Sequence, residues 1–97
     1  KKYTHSYQMY SITCNSKYRN NLVEYLNSQG IGASVHFDPP LHRQAYLKKY
    51  CRKKDKLKNT EELSKSIITL PMYPDLKMNE INYVLKIIHK WYKKKFK

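Results

Sequence analysis

Apolar residues recur along this chain with two periods, and each period predicts a different kind of element. Residues 7–14 alternate polar and apolar side chains, which favours a strand. Residues 18–29 carry apolar side chains at steps of three and four, as one face of a helix requires. The same spacing predicts a last helix starting near Asn79, with a buried stripe made of Ile81, Val84, Leu85, Ile88, Trp91 and Tyr92.

Glycine and proline divide the middle of the chain. Gly30 stands where a residue in the left-handed conformation would end the first helix. Residues 33–37 are predicted to form a second strand, which Pro39 and Pro40 end because proline has no backbone N–H to donate. A third strand is predicted over residues 67–70, so two strands flank the Pro-Pro turn in the sequence.

Two shorter helices are predicted between these last two strands. One covers residues 42–50, and the other runs from Asn59 or Thr60 to about Lys65. Between them, residues 51–59 are rich in lysine and predict a solvated loop. The order of elements predicts an α+β domain, in which a small three-stranded, mainly antiparallel sheet carries its helices on one face.

Size and charge limit the class of protein. The 97 residues suffice for one domain, residues 1–97, because a chain of this length buries about 60–65% of its unfolded surface. The formal net charge is +13, which a polyanionic partner would explain through counterion release. Only three of the 20 basic residues are arginines, whereas nucleic-acid contacts favour arginine. A solvated basic surface is therefore the favoured explanation, and nucleic acid is not the predicted partner.

The spacing of the cysteines and the length of the apolar runs together predict where in the cell the protein lies. Cys14 and Cys51 form no Cys-x-x-Cys pair, and two thiols do not make a disulfide framework. No apolar run approaches the roughly 20 residues that span a bilayer, and the charged amino terminus lacks a signal-peptide core. We therefore expect a cytoplasmic protein with reduced thiols and no membrane partner.

Histidines supply the candidate chemistry. His36 and His42 flank the Pro-Pro pair, and their spacing matches none of the usual zinc patterns, so no metal site is predicted. From the residues alone, each either satisfies a local hydrogen bond or binds an anionic or hydroxylated ligand. His5 precedes the first strand, where an ordinary strand entrance is the alternative to a binding role. No complete catalytic set is present, so no catalytic residue is assigned.

Five segments follow one another along nearly the whole chain. They are His5-x-Tyr7; Arg19, Leu22 and Leu26 before Gly30-Ile31; Val35-His36-Phe37 before Pro40-Leu41-His42 and Tyr46; Thr60-Glu61 before Leu70-Pro71-Met72-Tyr73-Pro74; and the final helix. Together they resemble the carboxyl-terminal small domain of the DegT–DnrJ–StrS family of pyridoxal-phosphate-dependent sugar aminotransferases. Phe37 stands where that family usually has tyrosine, so any hydroxyl contributed there is absent.

The resemblance implies the small domain of an aspartate-aminotransferase-type (type I) enzyme. In such enzymes a large domain supplies the Schiff-base lysine and most contacts to pyridoxal phosphate, and family members generally dimerise through it. The implied reaction moves an amino group, usually from glutamate, to a keto nucleotide-sugar for cell-surface or secondary-metabolite sugars. Nothing in this chain matches the cofactor-anchoring lysine motif, so we assign no cofactor-binding residue and expect the chain alone to be inactive.

The resemblance also suggests which residues meet the substrate. It places His5, His36 and His42 at the rim of the cleft, near the sugar or its diphosphate. The alternative is a freestanding basic module that binds nucleic acid or another polyanion through residues 51–58 and the carboxyl-terminal lysines.

Overall fold

The computed structural model describes residues 2–52 and 56–96. In this part of the chain, three α-helices pack with a two-stranded antiparallel sheet, so the α+β class is confirmed. The elements in order are β1 (Tyr10–Thr13), α1 (Ser16–Ser28), short 3₁₀ turns at Leu41–Arg43 and Lys48–Tyr50, α2 (Lys58–Ser66), β2 (Ile67–Leu70) and α3 (Met78–Lys95).

The predicted three-stranded sheet is wrong, because within residues 2–52 and 56–96 only β1 and β2 form a ladder. Their antiparallel register pairs Tyr10 with Leu70. Residues 33–37 contribute one isolated bridge to the other edge of β2. In this bridge the N–H of Ser34 donates to the carbonyl oxygen of Thr69, and the N–H of Thr69 donates to the carbonyl oxygen of Ser34. After this pair the chain turns away towards the prolines, which cannot donate to a ladder.

Helix α1 begins and ends where local chemistry predicts. The side-chain Oδ1 of Asn15 accepts the N–H of Lys17 at 2.9 Å, which satisfies one of the free donors at the helix start. Gly30 has φ +82°, and the N–H of Ile31 returns to the carbonyl oxygen of Leu26 at 2.9 Å. This glycine cap is confirmed, and it reverses the chain towards the Pro-Pro turn.

The core lies where α1, β2 and α3 meet. Its buried apolar residues are Leu22, Leu26, Ile31, Ala33, Ile68, Ile87 and Trp91. The predicted stripe of α3 is partly wrong, since Leu85 and Tyr92 are 58% and 57% exposed while Ile87 is buried. The packed face follows Ile87 and Trp91, and Leu85 lies about 100° around the helix from its neighbour Val84.

The predicted helix over residues 42–50 is also wrong. Two 3₁₀ turns occur there instead, because Gln44 between them has extended backbone (φ −66°, ψ 127°). The side-chain amide of Gln44 donates to the carbonyl oxygen of Pro39 at 2.6 Å and draws the chain back on itself. The predicted lysine-rich loop over residues 51–59 lies partly outside the described residues.

No helix in the described ranges has the length and apolar character needed to cross a membrane.

Candidate binding site around the Pro-Pro turn

Arg19 ties the Pro-Pro turn to the core of the domain. Its side chain is 3% exposed and lies 2.5 Å from Oδ2 of Asp38, the residue before Pro39. The same guanidinium donates to the carbonyl oxygens of Ser64 and Ile67 at 2.8 and 3.0 Å. These carbonyls belong to the end of α2 and the start of β2, so one side chain fixes the turn against both elements.

His36 is held by β2. Its Nδ1 lies 3.1 Å from the hydroxyl of Thr69, which is 8% exposed. Because Thr69 is a buried residue, we expect this contact to orient the imidazole. The ring itself remains half-buried at the mouth of the turn.

His42 is held by α2. Its Nε2 lies 2.6 Å from Oε2 of Glu61, and the Nε of Arg43 donates to the same oxygen at 2.6 Å. The side chains of His42 and Glu61 are 14% and 19% exposed, whereas that of Arg43 is 58% exposed. Hydrogen bonds from Arg43 and then His42 hold the pKa of Glu61 below its ordinary value of 4.5.

An apolar groove of about 490 Å³ opens beside both imidazoles. His36 and His42 are two of its polar lining residues. Its walls include the apolar side chains of Phe37, Leu41, Leu47, Tyr50, Leu63 and Ile67. Apolar walls with a few convergent polar groups are typical of sites for small ligands.

A basic cleft of about 670 Å³ lies on the other side of His42. Besides His42, its described lining consists of Arg43, Lys48, Cys51, Arg52, Lys56, Lys58 and Glu61. Glu61 is the one carboxylate in that lining, and it is already paired with His42 and Arg43. The cleft therefore carries a positive potential that favours phosphate or another anion.

The third candidate histidine stands apart from the other two. His5 is exposed, and its Nδ1 accepts the N–H of Tyr7 at 2.8 Å while the two rings lie 4.2 Å apart. His5 does not line the apolar groove or the basic cleft. The domain thus brings together His36 and His42, and leaves His5 at the start of the described chain.

The described residues contain no group of three or more histidine, cysteine or acidic side chains placed to hold a metal ion. Both thiols are free, and burial raises the pKa of Cys14 against a smaller opposing effect of Arg19. Cys51 lines both the groove and the cleft, where its Sγ donates to the carbonyl oxygen of Leu47 at 3.5 Å.

Sequence reasoning missed Glu61 as a site residue and Arg19 as a buried one. Nothing local in the sequence connects Glu61 with a histidine 19 residues earlier. The available signal was compositional. With 7 acidic residues against 20 basic ones, each carboxylate has a high chance of an ion pair.

The groove, the cleft and the histidine between them indicate the kind of site that this domain carries. The described residues place an imidazole between an apolar groove and a basic cleft, while the hydroxyl that bonds a histidine, that of Thr69, is buried. Such an arrangement is typical of a surface that contacts a small ligand.

Comparison with known proteins identifies the family. Residues 1–89 match the model of the DegT/DnrJ/EryC1/StrS aminotransferase family, and the chain belongs to that family. A solved DegT DnrJ EryC1 StrS aminotransferase from Brucella abortus superposes with a TM-score of 0.75 and 29% identity, over 86% of this chain and 22% of that one. The predicted family is confirmed.

Two curated relatives give the same picture. The chain is 32% identical over 89 residues to a pleiotropic regulatory protein of Geobacillus stearothermophilus, covering 92% of this chain and 23% of that protein. It is 31% identical over 74 residues to the UDP-4-amino-4-deoxy-L-arabinose–oxoglutarate aminotransferase of Shewanella sediminis, covering 72% and 19% respectively. The chain therefore spans about a fifth of the length of the relatives it matches.

Proposed function

We propose that this chain is the carboxyl-terminal small domain of a cytoplasmic nucleotide-sugar aminotransferase. The observation that carries the proposal is the position of His42 between an apolar groove and a basic cleft, in a chain of this family. The groove suits an apolar or ring-shaped portion of a ligand, and the cleft suits its phosphates. A nucleotide-sugar carries both kinds of group.

The complete enzyme would transfer an amino group from glutamate to a keto nucleotide-sugar. Pyridoxal phosphate supplies the electron sink for such transfers. Every lysine in the described residues is exposed, which does not fit a Schiff-base anchor enclosed in a cofactor pocket. We therefore place the anchoring lysine in a large domain of the longer enzyme and expect this chain alone to be inactive.

Within this chain, His42 and His36 would contact the substrate at the rim of the cleft. A protonated or neutral imidazole donates a hydrogen bond to a sugar hydroxyl or a phosphate oxygen, and both rings are already oriented by protein partners. His5 remains a proposed rim residue that would need the rest of the enzyme to bring it towards the other two.

The large domain would be the first partner of this chain. A second apolar groove of about 270 Å³ runs along the outside of β1, β2 and α3. Tyr10, Met72 and Leu85 line it and are 46%, 39% and 58% exposed. Contiguous exposed apolar surface marks an interface, and a chain that spans a fifth of its relatives leaves the remainder of the enzyme to cover it. The longer enzyme would act as a homodimer.

The test requires the reading frame that contains this chain, expressed with any sequence that precedes Lys1. We expect a protein with the absorbance of bound pyridoxal phosphate that transfers amino groups from glutamate to a panel of UDP- and dTDP-linked keto sugars. His42→Ala and His36→Ala should lower turnover without changing the cofactor absorbance. His89→Ala, an exposed histidine on α3, is the matched control. Full activity of both test variants would contradict a rim role for these histidines.

The basic cleft also favours a second candidate function, a module that binds nucleic acid or another polyanion. Lys93, Lys94 and Lys95 at the end of α3 add further positive charge. Binding to a random DNA duplex, measured over a range of salt concentrations, tests this function directly. A log-affinity that does not fall with log salt excludes it, because contacts to phosphates release counterions.

A further inference from the structure

Glu61 holds the imidazole of His42 from the first turn of α2. The separation between Nε2 and Oε2 is 2.6 Å, at the short end of the range for a hydrogen bond to a carboxylate. Both side chains are more than four-fifths buried, so little water competes for the contact. The carboxylate and the imidazole come from different segments, and their contact fixes the 3₁₀ turn at Leu41–Arg43 against α2.

We propose that Glu61 is a positioning residue that fixes the tautomer and orientation of His42 for substrate contact. A carboxylate accepts hydrogen bonds only, so the Nε2 of His42 must carry the proton that it donates to Glu61. Nδ1 is then the ring nitrogen left for a ligand, since no other described residue bonds it. The proposal rests on the proposed function in one respect, namely that the ligand is a nucleotide-sugar.

Arg43 keeps the carboxylate available for this role. Its Nε donates to the same Oε2 at 2.6 Å, and this bond is the main reason why the pKa of Glu61 is lowered. An ionised Glu61 is a pure acceptor, whereas a protonated one could donate to Nε2 and impose the opposite tautomer. Arg43 is mostly exposed, so we assign it this supporting role and no place in the core.

The chain offers a matched control beside Glu61. Glu62 has the same side chain, lies in the same helix and is exposed. Its backbone carbonyl oxygen accepts a hydrogen bond from the hydroxyl of Ser66 at 3.2 Å. Substituting Glu62 therefore removes the same charge without touching His42.

Proton NMR of the 97-residue chain at low temperature tests the contact. An imidazole N–H held by a carboxylate exchanges slowly with water and gives a separate downfield signal. We expect this signal from His42 in the unsubstituted chain and in Glu62→Ala. We expect its loss in Glu61→Ala and an upfield shift in Glu61→Gln, whose amide oxygen is a weaker acceptor. Absence of the signal in the unsubstituted chain, or a signal unchanged in Glu61→Gln, would overturn the proposal.

A double-mutant cycle in the longer enzyme tests the consequence for catalysis. Misplacing a contact group by about 1 Å can reduce the rate on the order of 10²-fold, so we expect Glu61→Ala to lower kcat/KM by roughly 10- to 100-fold. The same substitution in a His42→Ala background should cause almost no further loss, because Glu61 acts through His42. A loss of kcat/KM in the double variant equal to the product of the two single losses would overturn the positioning role. Full activity of His42→Ala would overturn the substrate-contact role of His42, whereas absence of amino transfer by the longer enzyme, with the His42 signal present in the unsubstituted chain, would refute the proposed function and leave the Glu61–His42 contact established.

Discussion

Replacing Arg19 with alanine should destabilise the domain more than any other single change to a charged residue described above. Arg19 is 2% exposed and donates to two backbone carbonyls, to Asn20 and to Asp38. The carbonyl oxygen of Ser64 lies in the last turn of α2, where helical carbonyls lack partners within the helix. Arginine at this position therefore caps one helix from another.

The magnitude follows from what the alanine variant leaves behind. Hydrogen bonds to charged groups contribute about 1.5–3 kcal/mol each, and removing one partner of a buried ionic cluster costs about 3–5 kcal/mol. The two carbonyls would lose a buried donor, whereas the carboxylate of Asp38 is 35% exposed and would be rehydrated. We expect a loss of about 3–5 kcal/mol for Arg19→Ala. For Asp38→Asn we expect about 1 kcal/mol, since Arg19 keeps its other three acceptors.

Urea unfolding followed by fluorescence of the single tryptophan, Trp91, gives these free energies, since that side chain is 6% exposed in the folded domain. Arg43→Ala, at a mostly exposed arginine, is the control and should change stability by less than about 1 kcal/mol. A loss below about 1 kcal/mol for Arg19→Ala would refute the reasoning, as would an equal loss for Asp38→Asn.

Three further outcomes are expected from the same chain. Gly30→Ala should lower the free energy of unfolding, measured in urea, by about 1–2 kcal/mol because Gly30 has φ +82°. Gly32 has no positive φ and no atom near its Cβ position, so Gly32→Ala should lower it by less than half as much. Because folding lowers the pKa of Glu61, its carboxylate stabilises the folded domain at pH values above its ordinary pKa of 4.5. This stabilisation is lost as the pH falls through the lower pKa of the folded state. Between pH 6 and pH 2 the free energy of unfolding should therefore fall less in Glu61→Gln than in the unsubstituted chain. An equal dependence of this free energy on pH in both proteins would contradict the prediction. In a Cys51→Ser background, iodoacetamide should alkylate Cys14 more slowly in the folded chain than in concentrated urea, because burial raises the pKa of that thiol.

Elements specified by neighbouring residues could be predicted from the sequence. Helix α1 has its cap at Asn15, its apolar steps and its glycine stop within a few residues of one another. The region after the Pro-Pro pair could not be predicted in this way. There the side chain of Gln44 competes for a backbone carbonyl, and two 3₁₀ turns replace the helix that the apolar spacing favours.

The site could be predicted only in part, for a related reason. His36 and His42 were identified from their places beside the prolines, and both line the apolar groove. The residues that orient them lie far away in the sequence, with Thr69 separated from His36 by 33 residues and Glu61 from His42 by 19. Contacts at such separations depend on the folded arrangement of β2 and α2, which residue spacing does not encode.

The link between Arg19 and Asp38 has an evolutionary consequence. Because three of the four acceptors of Arg19 lie outside the Pro-Pro turn, a descendant that replaced Asp38 would retain the helix cap and release the turn. The segment bearing His36 and His42 would then depend on the contacts with Thr69 and Glu61 for its position while the domain stayed folded. The fold would therefore tolerate changes at position 38 more readily than changes at position 19.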